Sequence, residues 1–378
     1  MTYAAITGWG KCMPPTVLTN ADLATFLDTN DEWITSRTGV KERRLSHVSG
    51  LTLAHVAAER ALACAGLAAK DVDLIVYGCC SNDEQIPNSA SGLQQRLGAW
   101  DAAAMDVNTA CTSFLYSLST ATAMIRTGVV RNAIVVGVEV ITPLMDWSNR
   151  NVAVLFGDGA AAVVLERSEE PEGLLAEKLG CYADARDTLR IRGTGLMYAN
   201  SDVIYGDTRW DFDGPEIFKR AVVGMSHSAQ DVLKKTGKSV ADVDLVVPHQ
   251  ANLRIIEMVA RRLGAAMDDV YVTVHRYGNM SSATVPVAMF EALDEGRIRA
   301  GSLVLTPAFG GGLTFCSHLI RWGERTTPLG VSSAAFPPCD RTAVEMIQEY
   351  IRRHEPLGRS DKGLMAPVFG AAAALAAD

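Results

Sequence analysis

Short, continuous runs of apolar residues alternate along the chain with longer segments in which apolar residues recur every three to four positions. The runs at 73–78, 132–139, 244–248 and 301–306 predict strands that are buried on both faces, because a strand with one wet face would alternate. The segment 51–65 has the spacing of an amphipathic helix. Strands that alternate with helices in this way predict an α/β fold with helices on both faces of the sheet.

A weak internal repeat runs through this pattern. The sequence at 66–76 resembles that at 237–247, and 108–111 corresponds to 279–282, each at a separation of 171 residues. A third similar pair follows in the same order at nearly the same separation. One such match could arise by chance, since a helix followed by a turn and a strand is common. Three matches in the same order predict two related α/β halves. Equivalent helix starts would then meet near a pseudo-twofold axis, which would bring Cys111 towards the region of residue 279.

The repeat and the change of pattern near its end predict the organisation of the chain. We expect an N-terminal half over 1–170, a C-terminal half over 171–322 and an extension over 323–378. Within the extension, 341–353 has helical spacing, and the Ala-rich stretch 363–378 is too short to span a membrane.

The composition is that of an ordinary globular protein, with 48% hydrophobic and 21% charged residues. The net charge of −8 argues against a general nucleic-acid-binding protein, because phosphate binding needs a cationic surface. A local basic patch would still suit an anionic cofactor or an acidic carrier protein. The start of the chain does not resemble a secretory signal, and no apolar run approaches about 18 residues, so a cytoplasmic location without a membrane span is expected.

The sequence contains eight cysteines, and none forms a Cys-x-x-Cys pair, so no metal site is predicted. Cys111 differs from the others because small and polar residues precede it and an apolar helical run follows, which puts it at or near a helix N-terminus. The unpaired N–H groups and the dipole of such a terminus stabilise a thiolate. The alternative is a buried structural cysteine, and this segment alone does not decide between the two.

Two further side chains and a glycine run are candidates for chemistry. His249 follows the predicted strand 244–248, and α/β sheets bind ligands at the carboxyl ends of their strands. Asn279 precedes a Ser- and Ala-rich helix start, although a turn and a helix cap would explain it equally well. A loop histidine with a satisfied hydrogen bond is likewise the alternative for His249. The run 310–312 lacks the Lys-Ser/Thr pair of a phosphate loop, so it instead lets the backbone approach a ligand closely.

Together, a thiol at a helix start, an imidazole at a strand end and an amide predict acyl transfer followed by carbon–carbon bond formation. The Cys111 thiolate attacks a thioester and retains the acyl group. A malonyl thioester then loses CO2, and its enolate, stabilised by hydrogen bonds from His249 and Asn279, attacks the acyl-cysteine.

Six motifs spread over residues 3–322 reinforce this hypothesis. They lie at 19–23, 29–39, 156–160, 248–254, 277–279 and 308–312. In combination they resemble β-ketoacyl-acyl-carrier-protein synthase III, the initiating condensing enzyme of type II fatty acid synthesis. The resemblance implies a thiolase-like, five-layered αβαβα fold built from two pseudo-repeated halves, and usually a homodimer.

By motif position, the resemblance also implies the roles of individual residues. Cys111, His249 and Asn279 would form the catalytic triad, and the N–H groups of Cys111 and Gly311 would form the oxyanion hole. The implied coenzyme A site consists of Thr29, Trp33, Arg37, Arg150 and Asn252, with the adenine between Trp33 and Arg150. The implied docking surface for an acidic carrier protein consists of Lys219, Arg254, Arg261 and Arg262. Core packing is the alternative for Trp33, and solvated surface charge is the alternative for the four basic residues.

The implied substrates are acyl-CoA and malonyl-acyl-carrier protein or malonyl-CoA, with no resident cofactor. The sequence nevertheless departs from the family. Where the family often has Cys-Ala-Gly or Cys-Ser-Gly, Cys111 is followed by Thr112 and Ser113. Where acetyl-selective members carry a Phe, this chain has Ile86, which predicts an acyl pocket for a longer or branched primer. The segment 182–213, which would shape the substrate tunnel, matches poorly.

Other reactions on the same fold stay open at this point. Relatives of the family make quinolones, prime polyketides or transfer acyl groups without condensation, and Asn279 argues for condensation. A non-catalytic chain-length factor would lack the nucleophile at Cys111. A thiolase proper would need a second catalytic cysteine in a Cys-x-Gly motif, which Cys316 and Ser317 do not supply.

Overall fold

The computed structural model describes residues 2–195 and 208–354. The strands are β1 (Tyr3–Cys12), β2 (Thr16–Thr19), β3 (Glu42–Leu45), β4 (Leu74–Gly78), β5 (Ala103–Val107), β6 (Asn132–Glu139), β7 (Gly159–Ser168), β8 (Gly173–Cys181), β9 (Leu189–Arg192), β10 (Arg209–Phe212), β11 (Leu245–Val246), β12 (Leu303–Gly310) and β13 (Thr314–Arg321). The helices are α1 (Asn20–Leu23), α2 (Asp31–Thr38), α3 (Gly50–Ala65), α4 (Ser89–Leu97), α5 (Ser113–Arg126), α6 (Arg150–Ala153), α7 (Gly214–Lys235), α8 (Leu253–Leu263), α9 (Val274–Tyr277), α10 (Thr284–Asp294) and α11 (Ala343–His354).

The main sheet has the same strand order in its two halves. Its strands follow one another as β11-β12-β13-β8-β1-β7-β6-β4-β5. In the N-terminal half, β4 is parallel to β6, β6 is antiparallel to β7, and β7 is antiparallel to β1. The C-terminal half repeats this: β11 is parallel to β12, β12 is antiparallel to β13, and β13 is antiparallel to β8. The halves meet where Ala4 of β1 pairs with Gly173 of β8. Val270, which bridges Val246 in parallel, takes the position that β5 holds beside β4.

Five layers result because each strand turns alternate side chains to opposite faces. Leu74 of β4 and Val304 of β12 face inwards and pack in one core with α5 and α10, which lie between the halves. Ile75 faces outwards against α3 and α4, and Leu305 faces outwards against α7 and α8. The thiolase-like αβαβα architecture is therefore confirmed. The boundaries at 170 and 322 stay predictions.

The predicted strands are all present, with different lengths. The run 132–139 coincides with β6, whereas β11 is limited to two residues because the chain enters the functional region after Val246. Beyond that point, the N–H of His249 still donates to the Pro307 carbonyl at 2.9 Å, so the chain stays extended beside β12. The strand β12 continues to Gly310 and carries the glycine run into the same region.

The described part of the extension packs against the N-terminal half and includes the predicted helix. Leu329 N–H donates to the Cys64 carbonyl at 3.0 Å, and the Pro337 carbonyl lies 2.6 Å from Nε2 of His47. The helix α11 then buries Met346 and Ile347 against α1 and β2. Residues 355–378, which include the Ala-rich tail, lie outside the described residues. None of the helices in the described ranges is long and apolar enough to cross a membrane.

Candidate active site

Cys111 sits in a tight turn between β5 and α5. Ala110 adopts a left-handed conformation with φ of 52°, which is uncommon for a residue with a Cβ and turns the chain sharply before the cysteine. The Ser113 hydroxyl supports the turn, accepting from Thr109 N–H at 2.9 Å and donating to the Ala110 carbonyl at 2.7 Å. The expected position at a helix N-terminus is therefore observed.

The Cys111 thiol is protonated at neutral pH. Burial raises its pKa to about 11, against the lowering effect of hydrogen bonds with the side chains of Ser281 and Asn279. The nearby Glu139 carboxylate raises the pKa further. Attack by the sulfur must therefore be accompanied by loss of its proton, and the hydrogen bonds and the helix start stabilise the resulting charge.

The His249 side chain is buried and neutral. Burial lowers its pKa to about 3, so the imidazole carries one proton at physiological pH. Its Nδ1 lies 2.6 Å from Oγ1 of Thr284, which is also fully buried. The ring lines the same cavity as Cys111 with its remaining edge, where Nε2 can take part in chemistry.

Asn279 is fixed by the backbone on both sides. Its N–H donates to the Leu155 carbonyl at 2.9 Å, and its carbonyl accepts from Gly157 N–H at 3.1 Å. Its Oδ1 accepts from Ser281 N–H at 2.8 Å. A backbone N–H must meet an acceptor, so this bond assigns the two ends of the amide and leaves Nδ2 as the end that donates.

The glycine run passes directly over the nucleophile turn. A Cβ on Gly310 would lie 2.8 Å from the backbone nitrogen of Cys111, so only glycine permits this approach. Gly311 follows, and a Cβ there would lie 3.3 Å from that of Ala110. The structure thus brings Gly311 next to the Cys111 turn, and its role in an oxyanion hole stays a prediction.

A single cavity of about 630 Å³ joins the three candidate catalytic residues to the surface. Cys111, His249 and Asn279 line one part of it. Trp33, Arg37 and Asn252 from the predicted coenzyme A site line another part, together with the exposed Arg254. The three candidate catalytic residues therefore share one cavity with three of the five residues predicted to bind coenzyme A; Thr29 and Arg150 do not line it.

The predicted adenine site is centred on Trp33. The guanidinium carbons of Arg37 and Arg150 lie 4.6 and 4.9 Å from the centre of its ring, which is cation–π distance. Arg150 also pairs with Asp28 at 3.1 Å. Since Arg150 contacts the tryptophan directly, an adenine between the two requires the arginine to move. Thr29 is not among the cavity-lining residues, and its buried hydroxyl has no partner within the described parts of the chain.

The four predicted docking residues form one exposed surface beside the cavity. Lys219 lies on α7, and Arg254, Arg261 and Arg262 lie on the adjacent α8. Across residues 2–195 and 208–354, none of the four forms an ion pair. A surface depression beside them is lined by Phe218, Met258 and Glu257, with Arg254 and Arg261.

Ile86 was predicted to shape the acyl pocket, but it lines neither of the cavities of this chain that reach Cys111. Its side chain is 86% exposed. The loop that carries it is held against β5, where Asn88 donates to the Ala104 carbonyl at 3.3 Å and Asp106 accepts from Ser89 N–H at 2.8 Å. These bonds keep the loop at the edge of the sheet, and Ile86 points outwards from there.

A second cavity that also reaches Cys111 had no signal in the sequence. It measures about 460 Å³, and the side chains that make it apolar are Ile141, Leu144, Phe156, Leu189, Ile191 and Trp210. Trp210 is fixed by a hydrogen bond from its Nε1 to the Leu144 carbonyl at 2.8 Å. Leu189 and Trp210 belong to the β9–β10 hairpin, in the segment expected to shape the tunnel. Residues 196–207 of that segment lie outside the described residues.

A buried carboxylate behind the site was also missed. Glu139, at the end of β6, accepts hydrogen bonds from the hydroxyls of Ser81 at 2.6 Å and Ser281 at 3.0 Å. The backbone N–H groups of Cys80 and Ser81 lie 3.2 and 3.1 Å from its oxygens. A glutamate that ends an otherwise apolar predicted strand was the one signal in the sequence, because such a residue must find buried partners.

Comparisons with known proteins identify the family. The family model for 3-oxoacyl-[acyl-carrier-protein (ACP)] synthase III matches residues 105–183, and the model for its C-terminal part matches 233–322. The chain is 51% identical to beta-ketoacyl-[acyl-carrier-protein] synthase III 2 of Vibrio cholerae over 356 residues, 93% of this chain and 98% of that protein. It is 45% identical to the synthase III of Roseiflexus castenholzii over 326 residues, 85% of this chain and 98% of that protein.

The fold agrees as well. The crystal structure of 3-oxoacyl-[acyl-carrier-protein] synthase III from Aquifex aeolicus VF5 superposes with a TM-score of 0.79 at 38% identity, covering 84% of this chain and 100% of that one. The chain therefore belongs to the β-ketoacyl-acyl-carrier-protein synthase III family and is a condensing acyltransferase with a thiolase-like fold.

Proposed function

We propose that this enzyme transfers an acyl primer from coenzyme A to Cys111 and condenses it with a malonyl thioester to give a β-ketoacyl thioester and CO2. One observation carries the assignment of residues: the thiol of Cys111, the ring of His249 and the amide of Asn279 line one cavity. Coenzyme A thioesters are substrates in this scheme, and no resident cofactor takes part.

The first half-reaction moves the acyl group. The sulfur of Cys111 forms a bond to the thioester carbonyl carbon, the bond to the coenzyme A sulfur breaks, and the thiol proton leaves with coenzyme A as its thiol. The backbone N–H groups of Cys111 and Gly311 stabilise the oxyanion that develops on the carbonyl oxygen. The positive end of the helix dipole at the start of α5 favours the charged sulfur.

The second half-reaction forms the carbon–carbon bond. The malonyl carboxylate leaves as CO2, and its electron pair passes into an enolate whose oxygen accepts hydrogen bonds from His249 and Asn279. The enolate carbon attacks the acyl-cysteine, the carbon–sulfur bond breaks, and the Cys111 thiolate takes a proton from water. The low pKa of His249 supports a neutral donor in this role.

The surroundings of the cavity support the proposed ligands. Trp33, with Arg37 and Arg150 against its ring, offers stacking and cationic groups for an adenine nucleotide. The exposed basic residues beside the cavity suit an acidic carrier protein that delivers the malonyl group, since complementary charge steers association. Arg254 belongs to both surfaces, which would place the carrier at the entrance that coenzyme A uses first.

We assign the acyl primer to the second cavity. It opens beside Cys111 and is mainly apolar, so it favours a primer longer or more branched than acetyl, which has only three non-hydrogen atoms. The ring of Trp210 packs 5.0 Å from that of Phe156 and limits the length of this space. A Trp210→Ala variant is expected to shift preference towards longer primers in a competition between acyl-CoAs.

We also propose a homodimer that pairs along β5. This strand ends the sheet, and no other described strand pairs with its outer edge. The Ile86 loop lies beside it and β5 leads into the Cys111 turn, so this pairing would bring Ile86 towards the acyl cavity of the second copy. Sedimentation of the purified enzyme should give the mass of two chains; a single-chain mass would reject the dimer.

Acyl transfer without condensation is the second candidate, and the orientation of Asn279 argues against it. An acyltransferase that only moves a group needs no enolate donor, whereas here Ser281 N–H turns the amide to donate. A related role in secondary metabolism would use the same chemistry with another product.

Intact-protein mass spectrometry with a panel of acyl-CoAs tests the proposal. We expect an adduct on Cys111, with the preferred primer longer or more branched than acetyl. Product formation by Cys111→Ala at the wild-type rate would reject the mechanism, and a strict preference for acetyl-CoA would reject the primer assignment. Malonyl-carrier protein and malonyl-CoA, added separately, identify the acceptor.

A further inference from the structure

Both enolate donors are held by the five residues that follow Asn279. Ser281 N–H holds Oδ1 of Asn279, and Oγ1 of Thr284 contacts Nδ1 of His249. Thr284 is the first residue of α10 and is fully buried, so water cannot replace its contact with the ring.

The conformation that allows this is held by Glu139. Ser281 has a left-handed backbone with φ of 47°, which is uncommon for a residue with a Cβ. Its hydroxyl donates to Glu139 at 3.0 Å. This anchor keeps the N–H of Ser281 on the Asn279 side chain and its carbonyl directed at Thr284.

The hydroxyl of Thr284 has one proton and two neighbours that could accept it. One is Nδ1 of His249 at 2.6 Å, and the other is the Ser281 carbonyl at 2.9 Å. The carbonyl already accepts the backbone N–H of Thr284, whereas no other described group contacts Nδ1. If Nδ1 carried the ring proton, Nε2 would be an acceptor at the cavity, where the enolate oxygen needs a donor; we therefore assign the Thr284 proton to the shorter contact, with Nδ1 as its acceptor.

We propose that Thr284 is a positioning residue that donates to Nδ1 of His249 and thereby keeps the single ring proton on Nε2. Nε2–H then faces the cavity as a donor, alongside Nδ2 of Asn279. The inference rests on the role proposed above for His249 in stabilising the enolate.

The proposed arrangement matters to one half-reaction more than to the other. In the condensation, the enolate oxygen that forms as CO2 leaves accepts from Nε2–H, and no proton moves between the ring and Thr284. In the acyl transfer, the oxyanion meets backbone N–H groups and does not use this donor. Loss of the Thr284 hydroxyl should therefore slow decarboxylation selectively.

Thr284→Val removes the hydroxyl and keeps a similar shape. In single-turnover experiments we expect acylation of Cys111 to continue at nearly the wild-type rate, while release of CO2 from the malonyl thioester falls about 100-fold, the effect of losing one donor from an oxyanion hole. Thr284→Ser keeps a hydroxyl and is expected to restore most of the CO2 release. Equal slowing of both steps, or no slowing, would overturn the inference.

A spectroscopic measurement tests the tautomer without a variant at Thr284. In wild-type enzyme with ¹⁵N-labelled histidine, the nitrogen shifts of His249, assigned by their loss in His249→Ala, should show a proton on Nε2 and none on Nδ1. A proton on Nδ1 would overturn the inference even if Thr284→Val failed to fold.

Two variants distinguish an error in the role of His249 from an error in the role of Thr284. If His249→Ala leaves CO2 release intact, the role of His249 itself is wrong. If His249→Ala abolishes the release but Thr284→Val does not slow it, only the role of Thr284 is wrong.

Discussion

The two halves of this enzyme use the same short turn for two different tasks. Asn108 and Asn279 lie 171 positions apart, and in each turn the Asn side chain accepts from the backbone N–H two residues later, at 3.2 and 2.8 Å. The residues that donate, Ala110 and Ser281, both have left-handed backbones, with φ of 52° and 47°.

The two turns differ in which residue lines the cavity of about 630 Å³ that contains the candidate catalytic residues. In the N-terminal half it is the fourth residue, Cys111, whereas Asn108 is exposed. In the C-terminal half it is the first residue, Asn279. The fourth, Ser282, is buried and donates towards the carbonyls of Gly78 and Val138. In the proposed mechanism, one repeated turn therefore provides a nucleophile in the N-terminal half and a hydrogen-bond donor in the C-terminal half.

The largest effect should come from the fourth position of the turn. Cys111→Ala removes the acyl carrier and is expected to lower condensation about 10⁴-fold or more, measured as product formed from acyl-CoA and malonyl thioester. Ser282→Ala, its counterpart, should keep the activity but lower the free energy of unfolding by about 1–3 kcal/mol, because two strand carbonyls lose a buried donor. Comparable activity losses in both variants would break the comparison.

The next effect should come from the first position. Asn279→Ala is expected to lower condensation about 10²- to 10³-fold by removing an enolate donor. Acylation of Cys111 should slow only several-fold, because the Asn279 side chain also lowers the pKa of the thiol. Asn108→Ala removes a turn bond at the edge of the cavity of about 460 Å³ but no proposed enolate donor, so it should cost about 1 kcal/mol of stability and lower kcat far less than Asn279→Ala. Acylation slowed as strongly as condensation in Asn279→Ala would contradict this division of tasks.

The smallest effect should come from the left-handed position. Ser281→Ala makes the second turn resemble the first, where Ala110 shows that alanine tolerates this conformation. The hydroxyl of Ser281 lowers the pKa of the Cys111 thiol, so its loss should raise that pKa above about 11. Since only the thiolate reacts, and its fraction falls as the pKa rises at fixed pH, alkylation by iodoacetamide at pH about 8 should slow several-fold. Faster alkylation would show that the Ser281 hydroxyl raises the pKa of Cys111 instead of lowering it.

The repeat made much of this arrangement predictable. The matches at a separation of 171 residues indicated two halves, and they paired the Cys111 turn with the Asn279 turn from the order of residues alone. The strands β4, β6 and β12 could be predicted because continuous apolar runs have few other uses. The motif around His249 then supplied the third catalytic side chain.

What the sequence did not reveal depends on backbone conformation. Ser281, Thr284 and Glu139 act through bonds that exist only once residue 281 is left-handed, and that residue has no glycine to mark it. The acyl cavity depends on the β9–β10 hairpin, which family motifs do not cover. The exposure of Ile86 depends on how its loop is held against β5, which the sequence does not show.

The central claim is that the nucleophile of one turn and the donor of the other act in successive steps on the same acyl group. The most direct test is the mass of the intact enzyme, first with its preferred acyl-CoA and then after a malonyl thioester is added. We predict an adduct on Cys111 in wild type and in Asn279→Ala, discharged rapidly in the former and retained in the latter. An adduct on another residue, or equally rapid discharge in both proteins, would contradict the account.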